Sequence, residues 1–200
     1  MKLSCPVILA SASPRRKELL SGMGIEFSVI PAEVEEISPE RGYPAAEMVR
    51  LNARLKADAA AKHYPGSLVI GSDTVVVCDD RIFGKPHTLG EAVSMLKSLS
   101  GRAHQVMSGV SLRFGRYDLD HSFTEISRVV FKDLTEAAIR EYMDLVNVMD
   151  KAGAYAIQEH SELILAGLEG SLSNVIGLPV ERLGQELVRL GKEFNFLLEP

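Results

Sequence analysis

The feature that most restricts the fold of this chain is a long apolar run, Leu68–Cys78, with a serine and an aspartate at its centre. Its β-branched residues, and the Asp79-Asp80 turn that follows, predict a strand buried on both faces. Asp73 lies in the middle of this strand. Aspartate is depleted in strands and is costly to bury without a partner. The sequence therefore predicts a functional role for Asp73, with a structural aspartate bonded to nearby hydroxyl or backbone groups as the alternative.

The rest of the chain alternates between strand and helix patterns. Strands are predicted over 7–10, 27–30, 106–114 and 122–134, and helices are predicted to begin at Pro14, Ala45, Leu89, Glu136 and Pro179. These elements predict an α/β fold, with a long, mixed, twisted sheet flanked by helices.

Two helices have apolar stripes that we expect to face inward. The stripe of the helix over 45–62 comprises Met48, Asn52, Leu55 and Ala59, with Lys56 at its edge. The stripe of the helix after Thr88 comprises Leu89, Val93, Leu96 and Leu99.

Composition excludes several classes of protein. The chain has 200 residues, 46% of them hydrophobic, which suits one domain or two lobes that share a core. Its net charge of -5 and the lack of a Lys/Arg-rich run argue against a nucleic-acid partner. No apolar run reaches membrane-spanning length, so we expect no membrane partner. Cys5 and Cys78 lack metal-ligand spacing, and we expect reduced thiols in a cytoplasmic protein.

The stretch "ASASPRRKELL" places two cations, Arg15 and Arg16, in the first turn of a helix. A cation there opposes the helix dipole by roughly 0.3–1 kcal/mol. The hydroxyl groups of Ser11 and Ser13, the free N–H groups of the turn and the two guanidinium groups form a candidate phosphate site. The alternative is that both arginines point into solvent.

Other charged residues are weaker candidates when each is taken alone. Lys85 follows a short strand in the stretch "GKP" and gains weight from its nearness in sequence to Asp73. Lys56 and Asn52 could simply lie at a helix edge. Glu35 and Glu36 belong to an acidic segment that would normally be solvated, but carboxylates are also ligands for hard divalent cations.

Seven short stretches of the sequence occur in an order that resembles the Maf family: "ASASPRRKELL", "EVEE", "GSDTVV", "GKP", "LSGRAH", "DKAGAYAIQ" and "GSLSNVIGLP". The resemblance covers about residues 8–179 and implies a single Maf-like domain over 1–200. The implied fold resembles that of inosine-triphosphate pyrophosphatase: an elongated mixed sheet, with two lobes and a central cleft. The implied activity cuts a nucleoside triphosphate to the monophosphate and pyrophosphate with a divalent metal, Mg²⁺ or Mn²⁺. The resemblance also suggests a homodimer.

The resemblance assigns roles to residues at matching positions. The implied catalytic residues are Glu36, Lys56, Asp73 and Lys85, and Arg15 and Arg16 are implied to bind substrate in the same cleft. Asp73 matches the proton acceptor of the family, and Arg15, Thr74 and Gln158 match positions tied to substrate choice. The form "DKAGAYAIQ" resembles the branch that acts on dTTP and UTP.

The mechanism expected from this match has Glu36 and Glu35 as metal ligands and Asp73 as the base that deprotonates water. The residues leave the reverse assignment open, with Glu36 as the base and Asp73 as a ligand. Two further alternatives concern function: an enzyme for 7-methyl-GTP or other modified nucleotides, and a non-enzymatic regulator of septum formation. Glu159, where the family often has glycine, would favour a cationic methylated base.

Overall fold

The computed structural model describes the backbone of residues 2–198 and the side chains of residues 2–196. The strands are β1 (Lys2–Leu3), β2 (Val7–Leu9), β3 (Ser28–Val29), β4 (Leu68–Cys78), β5 (Arg81–Phe83), β6 (Ala103–Phe114), β7 (Leu119–Phe131), β8 (Leu165–Glu169) and β9 (Leu197–Leu198). The α-helices are α1 (Pro14–Gly22), α2 (Ala45–Ala61), α3 (Leu89–Leu99), α4 (Glu136–Leu145), α5 (Ser161–Ile164), α6 (Leu172–Ile176) and α7 (Val180–Glu193).

The main sheet mixes parallel and antiparallel pairs. Its strand order is β3-β2-β4-β6-β7-β8, with β5 paired to β4. β2 runs parallel to both neighbours, so that Ile8 lies opposite Ser28 on β3 and Val69 on β4. The pairs β4–β5 and β7–β8 are antiparallel. The predicted mixed α/β fold is therefore confirmed.

The described residues form two compact units. The first takes in the chain up to Asp73, Ser108–Glu125 and the chain from Gly177 onward. Its largest core brings together Leu9 of β2, Leu20 of α1 and Leu187 of α7. The prediction of one domain over 1–200 stays a prediction, and its ends, residues 1 and 199–200, lie outside the described residues.

The second unit comprises Thr74–Met107 and Ile126–Ile176. Its core joins the end of β4 to α3 and α4 through Val76, Leu96 and Tyr142. The boundary between the units falls inside β4, directly after Asp73.

Helix α2 lies unusually close to the sheet of the first unit. A Cβ atom on Gly71 of β4 would overlap the carbonyl oxygen of Ala53, and one on Gly109 of β6 would overlap the backbone of Val49. Only glycine allows this approach, because any side chain would push the helix away. Close packing brings the buried face of α2 directly against β4.

The predicted stripe of α2 was partly wrong. Met48 and Asn52 are buried, but Leu55 is 38% exposed and Ala59 is only half-buried. Lys56 is buried at 8% exposure, although we expected it at the edge. The hydrophobicity of single residues misled the prediction, because the close approach admits small residues and polar residues that find partners.

The predicted stripe of α3 needs a similar correction at its start. Leu89 is 63% exposed, while Leu96 and Leu99 are buried as predicted and Val93 is partly buried. Leu89 is the first residue after Thr88, whose hydroxyl caps the helix by accepting from the Glu91 N–H at 3.1 Å. The interior of the unit is reached one turn later.

No helix within residues 2–198 is both long enough and apolar enough to cross a membrane. The thiols of Cys5 and Cys78 are both free, the first half-buried and the second buried.

The second unit buries a histidine in its core. His104 on β6 is 3% exposed, and its Nε2 lies 3.0 Å from the hydroxyl of Tyr155. Its ring meets Phe131 edge to face, with ring centroids 4.8 Å apart. Burial lowers the pKa of His104 from 6.5 to about 4, and the nearby backbone of Arg102 only partly opposes this. His104 is therefore neutral in the folded protein at neutral pH.

This histidine predicts an acid-sensitive fold. Between pH 6.5 and about 4 the unfolded chain binds the proton of His104 and the folded chain does not. The free energy of unfolding should therefore fall as pH falls through this window, by up to about 3 kcal/mol. Denaturant unfolding of wild type and His104→Gln at pH values in the window measures the effect.

The variant should show a flatter pH dependence than wild type. His63→Gln, at an exposed histidine just after α2, is the matched control and should keep the wild-type slope. An unchanged slope in His104→Gln would contradict the assignment.

Candidate active site

Asp73 has two buried partners on helix α2. Its Oδ1 accepts a hydrogen bond from the Lys56 ammonium at 2.8 Å, and its Oδ2 accepts one from the Asn52 amide at 3.1 Å. The Asp73 side chain is only 10% exposed and that of Lys56 only 11%. A buried charge is stable in a protein only when it is paired and hydrogen-bonded. The Lys56 ammonium and the Asn52 amide are therefore the partners that a buried Asp73 needs.

The Lys56 ammonium also contacts a second carboxylate. It lies 2.9 Å from Oε1 of Glu36, whose side chain is 52% exposed, and 3.5 Å from the carbonyl oxygen of Ser72. One cation thus holds two carboxylates, one buried and one open to solvent. Lys56, Asp73 and Glu36 form the centre of the candidate site, and all three belong to the first unit.

Glu36 belongs to a segment without regular structure. Residues 30–38 lie between β3 and a short 3₁₀ turn at Pro39–Arg41. Asn52 holds this segment, because its Oδ1 accepts from the N–H of Ile37 at 2.7 Å and its Nδ2 donates to the carbonyl of Ile37 at 3.0 Å. Glu35, the other predicted metal ligand, lies on the same segment and is exposed.

The start of α1 is held by its own polar side chains. Ser13 is the N-cap of this helix, and its hydroxyl accepts from the N–H of Arg16 at 3.5 Å. The Arg16 guanidinium donates to the carbonyl of Gly177 at 2.8 Å and to the hydroxyl of Ser11 at 3.3 Å. Ser72, next to Asp73, also donates to the Gly177 carbonyl, at 3.1 Å. These bonds tie the start of α1 to the strand that carries Asp73.

Arg16 is a half-buried cation whose charge interacts with the carboxylates of the site. Burial lowers the pKa of Arg16 below its usual value, and the negative charges of Asp73 and Glu36 oppose that change. The positive charge at this helix start is therefore balanced by carboxylates of the site as well as by any anionic ligand.

The structure separates the other predicted residues into two groups. Arg15 lies half-buried on α1, in the first unit. Thr74, Lys85 and Gln158 belong to the second unit, where Thr74 is half-buried and the other two are exposed. Gln158 makes no hydrogen bond to any residue within 2–198, so nothing in the described chain fixes the rotation of its amide.

Glu159 has a cationic partner inside the second unit. Its Oε1 lies 3.5 Å from the Nζ of Lys151, which is 5% exposed and also bonds Asp150 at 3.0 Å. A carboxylate that already faces a lysine attracts a cationic base less. The contact weakens the case for a methylated cationic base that Glu159 suggested.

The two central carboxylates are suitable donors for a divalent cation that also binds water and substrate. Within residues 2–198, no group of three or more His, Cys, Asp or Glu side chains is placed to hold a metal ion. Mg²⁺ commonly takes one or two carboxylates and completes its shell with water and substrate phosphates. Glu36 and Asp73, which both contact the Lys56 ammonium, match that donor set.

Three contributors to this site were missed or undervalued in the sequence. Asn52 was placed in the inner stripe of its helix but was given no role in the site, although its spacing of four from Lys56 places both on one helix face. Ser72 precedes Asp73 directly and was passed over. Gly177 contributes only a backbone carbonyl, which no side-chain pattern reveals.

Comparisons with known proteins agree with the family that the motifs suggested. The family model described as Maf-like protein matches residues 6–190. A dTTP/UTP pyrophosphatase of Akkermansia muciniphila is 47% identical over 188 residues, covering 93% of this chain and 97% of that protein. One of Geobacillus sp. is 45% identical over 185 residues, covering 92% of this chain and 98% of that protein.

Among solved structures, the chain is similar to the Staphylococcus aureus Ham1 protein, at 18% identity and a TM-score of 0.46, over 64% of this chain and 72% of that one. The family match spans nearly all of the described residues, and the relatives are aligned over almost their whole length. The chain therefore belongs to the Maf family.

Proposed function

We propose that this chain is a nucleoside triphosphate pyrophosphatase that hydrolyses dTTP and UTP to the monophosphate and pyrophosphate. The observation that carries the proposal is the buried Lys56 ammonium between the carboxylates of Asp73 and Glu36. The names of the similar proteins support the substrate class. The proposal includes a cytoplasmic location and a homodimer, as the sequence and the family resemblance suggest.

In the proposed reaction Asp73 orients a water molecule and takes its proton as the water attacks the α-phosphorus. Lys56 and Asn52 each hold one Asp73 oxygen, so the carboxylate is fixed before substrate arrives. Such positioning, together with electrostatic stabilisation, supplies most of the rate enhancement in phosphoryl transfer, where the protein does little covalent chemistry.

Cationic side chains supply the phosphate contacts in this proposal. Arg15 and Arg16 at the start of α1, with the hydroxyls of Ser11 and Ser13, bind the phosphate chain, and Lys85 adds a further cation. Arg16 is suited to this role because its guanidinium is already held by the Gly177 carbonyl, so little side-chain entropy is lost on binding. Pyrophosphate leaves with its charge neutralised by these groups.

Glu36 would hold a divalent cation, Mg²⁺ or Mn²⁺, with Glu35 or Asp73 as a second ligand. When bound, such a cation supplies positive charge to the phosphate oxygens and to the departing pyrophosphate. Glu36 suits this role better than Asp73, because its side chain is half open to solvent. The exchange of roles between the two carboxylates is tested by the variants below.

Release of pyrophosphate from a panel of triphosphates tests the proposed function. We expect turnover of dTTP and UTP that is abolished by EDTA and restored by Mg²⁺ or Mn²⁺. Full activity in chelator would contradict the metal ligation. A panel that includes 7-methyl-GTP separates the two enzyme hypotheses, since a preference for that nucleotide would favour the modified-nucleotide branch. No turnover of any triphosphate would favour a non-enzymatic regulator.

Replacement of Asp73 by asparagine removes the proposed base and keeps its size. We expect kcat to fall by about 10²-fold or more. Either orientation of the new amide places its NH₂ group against a donor, Lys56 or Asn52, so stability should also fall by about 1–3 kcal/mol. Activity is therefore measured at a temperature where circular dichroism shows the variant to be folded.

Asp80→Asn is the matched control for this change, since Asp80 is an exposed aspartate in the turn after the same strand. It should keep wild-type kcat. A folded Asp73→Asn enzyme with wild-type turnover would mean that Asp73 is not the base, and Glu36→Gln would then be expected to abolish turnover instead.

Gln158 is the proposed reader of the base. Uracil and thymine present an N3–H donor beside an O4 acceptor, which a glutamine amide complements. Because nothing in the described chain fixes this amide, selection requires it to be fixed once the nucleotide binds. We then expect dTTP and UTP to exceed CTP by roughly 10- to 100-fold in kcat/KM.

Gln158→Ala should narrow that gap more than it slows the best substrate. Gln105→Ala, at an exposed glutamine of β6, is the control and should preserve the preference. If Gln158→Ala slows UTP, dTTP and CTP by the same factor, Gln158 does not read the base.

A further inference from the structure

Asn52 is a buried amide at the point where the two carboxylates of the site meet. It is 2% exposed and lies one helical turn before Lys56 on the same face of α2. Its Oδ1 accepts one hydrogen bond and its Nδ2 donates two, to the Ile37 carbonyl and to Asp73. Both amide hydrogens are used, so the donor capacity of this side chain is fully satisfied.

The Asn52 amide has only one acceptable orientation. Rotation by half a turn would place the NH₂ group against the N–H of Ile37. It would also place the amide oxygen against the Ile37 carbonyl and the Asp73 carboxylate. Each such contact leaves a buried polar group unpaired or facing a like charge. The hydrogen-bond network therefore fixes the orientation of the Asn52 amide, and the amide in turn restricts the positions of Ile37 and Asp73.

Asn52 supplies hydrogen bonds to both backbone polar groups of Ile37, as a neighbouring strand would in a sheet. Residues 30–38 belong to no helix or strand, and both polar groups of the Ile37 peptide bond to the one side chain. Glu36 precedes Ile37 directly, and its carboxylate reaches the same lysine that holds Asp73. Anchoring at Ile37 thus limits where the Glu36 carboxylate can lie.

We propose that Asn52 is a positioning residue, which sets the distance between the Glu36 and Asp73 carboxylates. Its one fixed amide forms hydrogen bonds to the Ile37 backbone and to Asp73 at the same time. The proposal rests on the function proposed above, since it gives Asn52 its effect through those two residues. Asn52 itself does not contact the reacting atoms in this proposal.

A merely structural Asn52 would behave differently. It would stabilise the fold by satisfying the Ile37 peptide, and its loss would cost stability without changing turnover of the folded enzyme. Met48 provides the comparison, because it lies one turn earlier on the buried face of α2 and is 1% exposed. Met48→Ala removes apolar packing from the same helix and touches no carboxylate of the site.

The first measurement is amide hydrogen exchange over residues 30–38, read by mass spectrometry without substrate or metal. The Ile37 N–H should be protected in wild type and in Met48→Ala and should exchange faster in Asn52→Ala. Equal protection in wild type and Asn52→Ala would overturn the anchoring step. This measurement does not depend on any enzymatic activity.

The second measurement is steady-state release of pyrophosphate from UTP. Asn52→Ala should lower kcat by about 10- to 100-fold, as expected for a misplaced catalytic group, with KM changed by less than about 3-fold. Asn52→Asp keeps the size but faces Asp73 with a second carboxylate, so it should be at least as slow. Met48→Ala should keep wild-type kcat at a temperature where it is folded.

A double-variant comparison identifies the route of the effect. If Asn52 acts through Glu36, the factor by which Asn52→Ala lowers kcat should shrink in a Glu36→Gln background. Wild-type kcat in both folded Asn52 variants, or an equal factor in the two backgrounds, would overturn the positioning role. If wild type itself turns over no triphosphate, the proposed function fails, and hydrogen exchange alone decides whether Asn52 anchors the segment.

Discussion

The Lys56 ammonium between two carboxylates is the interaction on which the rest of the site depends. Removing one partner of a buried ion pair costs about 3–5 kcal/mol, because the remaining charge is left in a poorly solvated place. Here one cation serves Asp73 and Glu36 together, and the charge of Arg16 also acts on both carboxylates. The charges of these four side chains therefore depend on one another, and a change at any one of them alters the balance at the others.

The position of Lys56 follows from the packing of α2 rather than from any local signal. Gly71 and Gly109 let the helix lie against the sheet, and the helix then places Lys56 and Asn52 over the middle of β4. A larger residue at either glycine would move both side chains away from Asp73. The small residues of the sheet therefore help to set the geometry of the candidate site, although they carry no functional groups themselves.

Much of the fold followed from the sequence because local rules agree along most of the chain. The helices predicted to begin at Pro14, Leu89 and Glu136 do begin there, each capped by the side chain of the residue before it, and the apolar run around Asp73 is a buried strand. The family motifs suggested the candidate site residues, and of these the structure brings Lys56, Asp73 and Glu36 into contact. The contacts around the site could not be predicted from the sequence. Asn52, for example, bonds the backbone of Ile37, which lies in a segment without any periodic pattern.

The inner face of α2 shows why some of the predictions from the sequence were wrong. Hydropathy ranks Leu55 above Lys56, yet Leu55 is exposed and Lys56 is buried. What decides their places is the pairing energy available to Lys56 on β4, a tertiary property that one helix cannot reveal. Similar errors are expected wherever a functional charge lies inside a protein, because there the usual relation between hydrophobicity and burial is reversed.

The discontinuous first unit has a consequence for how the protein is made. Its N-terminal segment carries Arg16, Glu36, Lys56 and Asp73, which leave the ribosome early. Its core is completed only by α7, and β1 pairs with β9 at the far end of the described chain. The core around these early residues is therefore complete only after residues 177–198 have been synthesised. During translation this unit exposes apolar surface for longer than the second unit, whose segments end at Ile176.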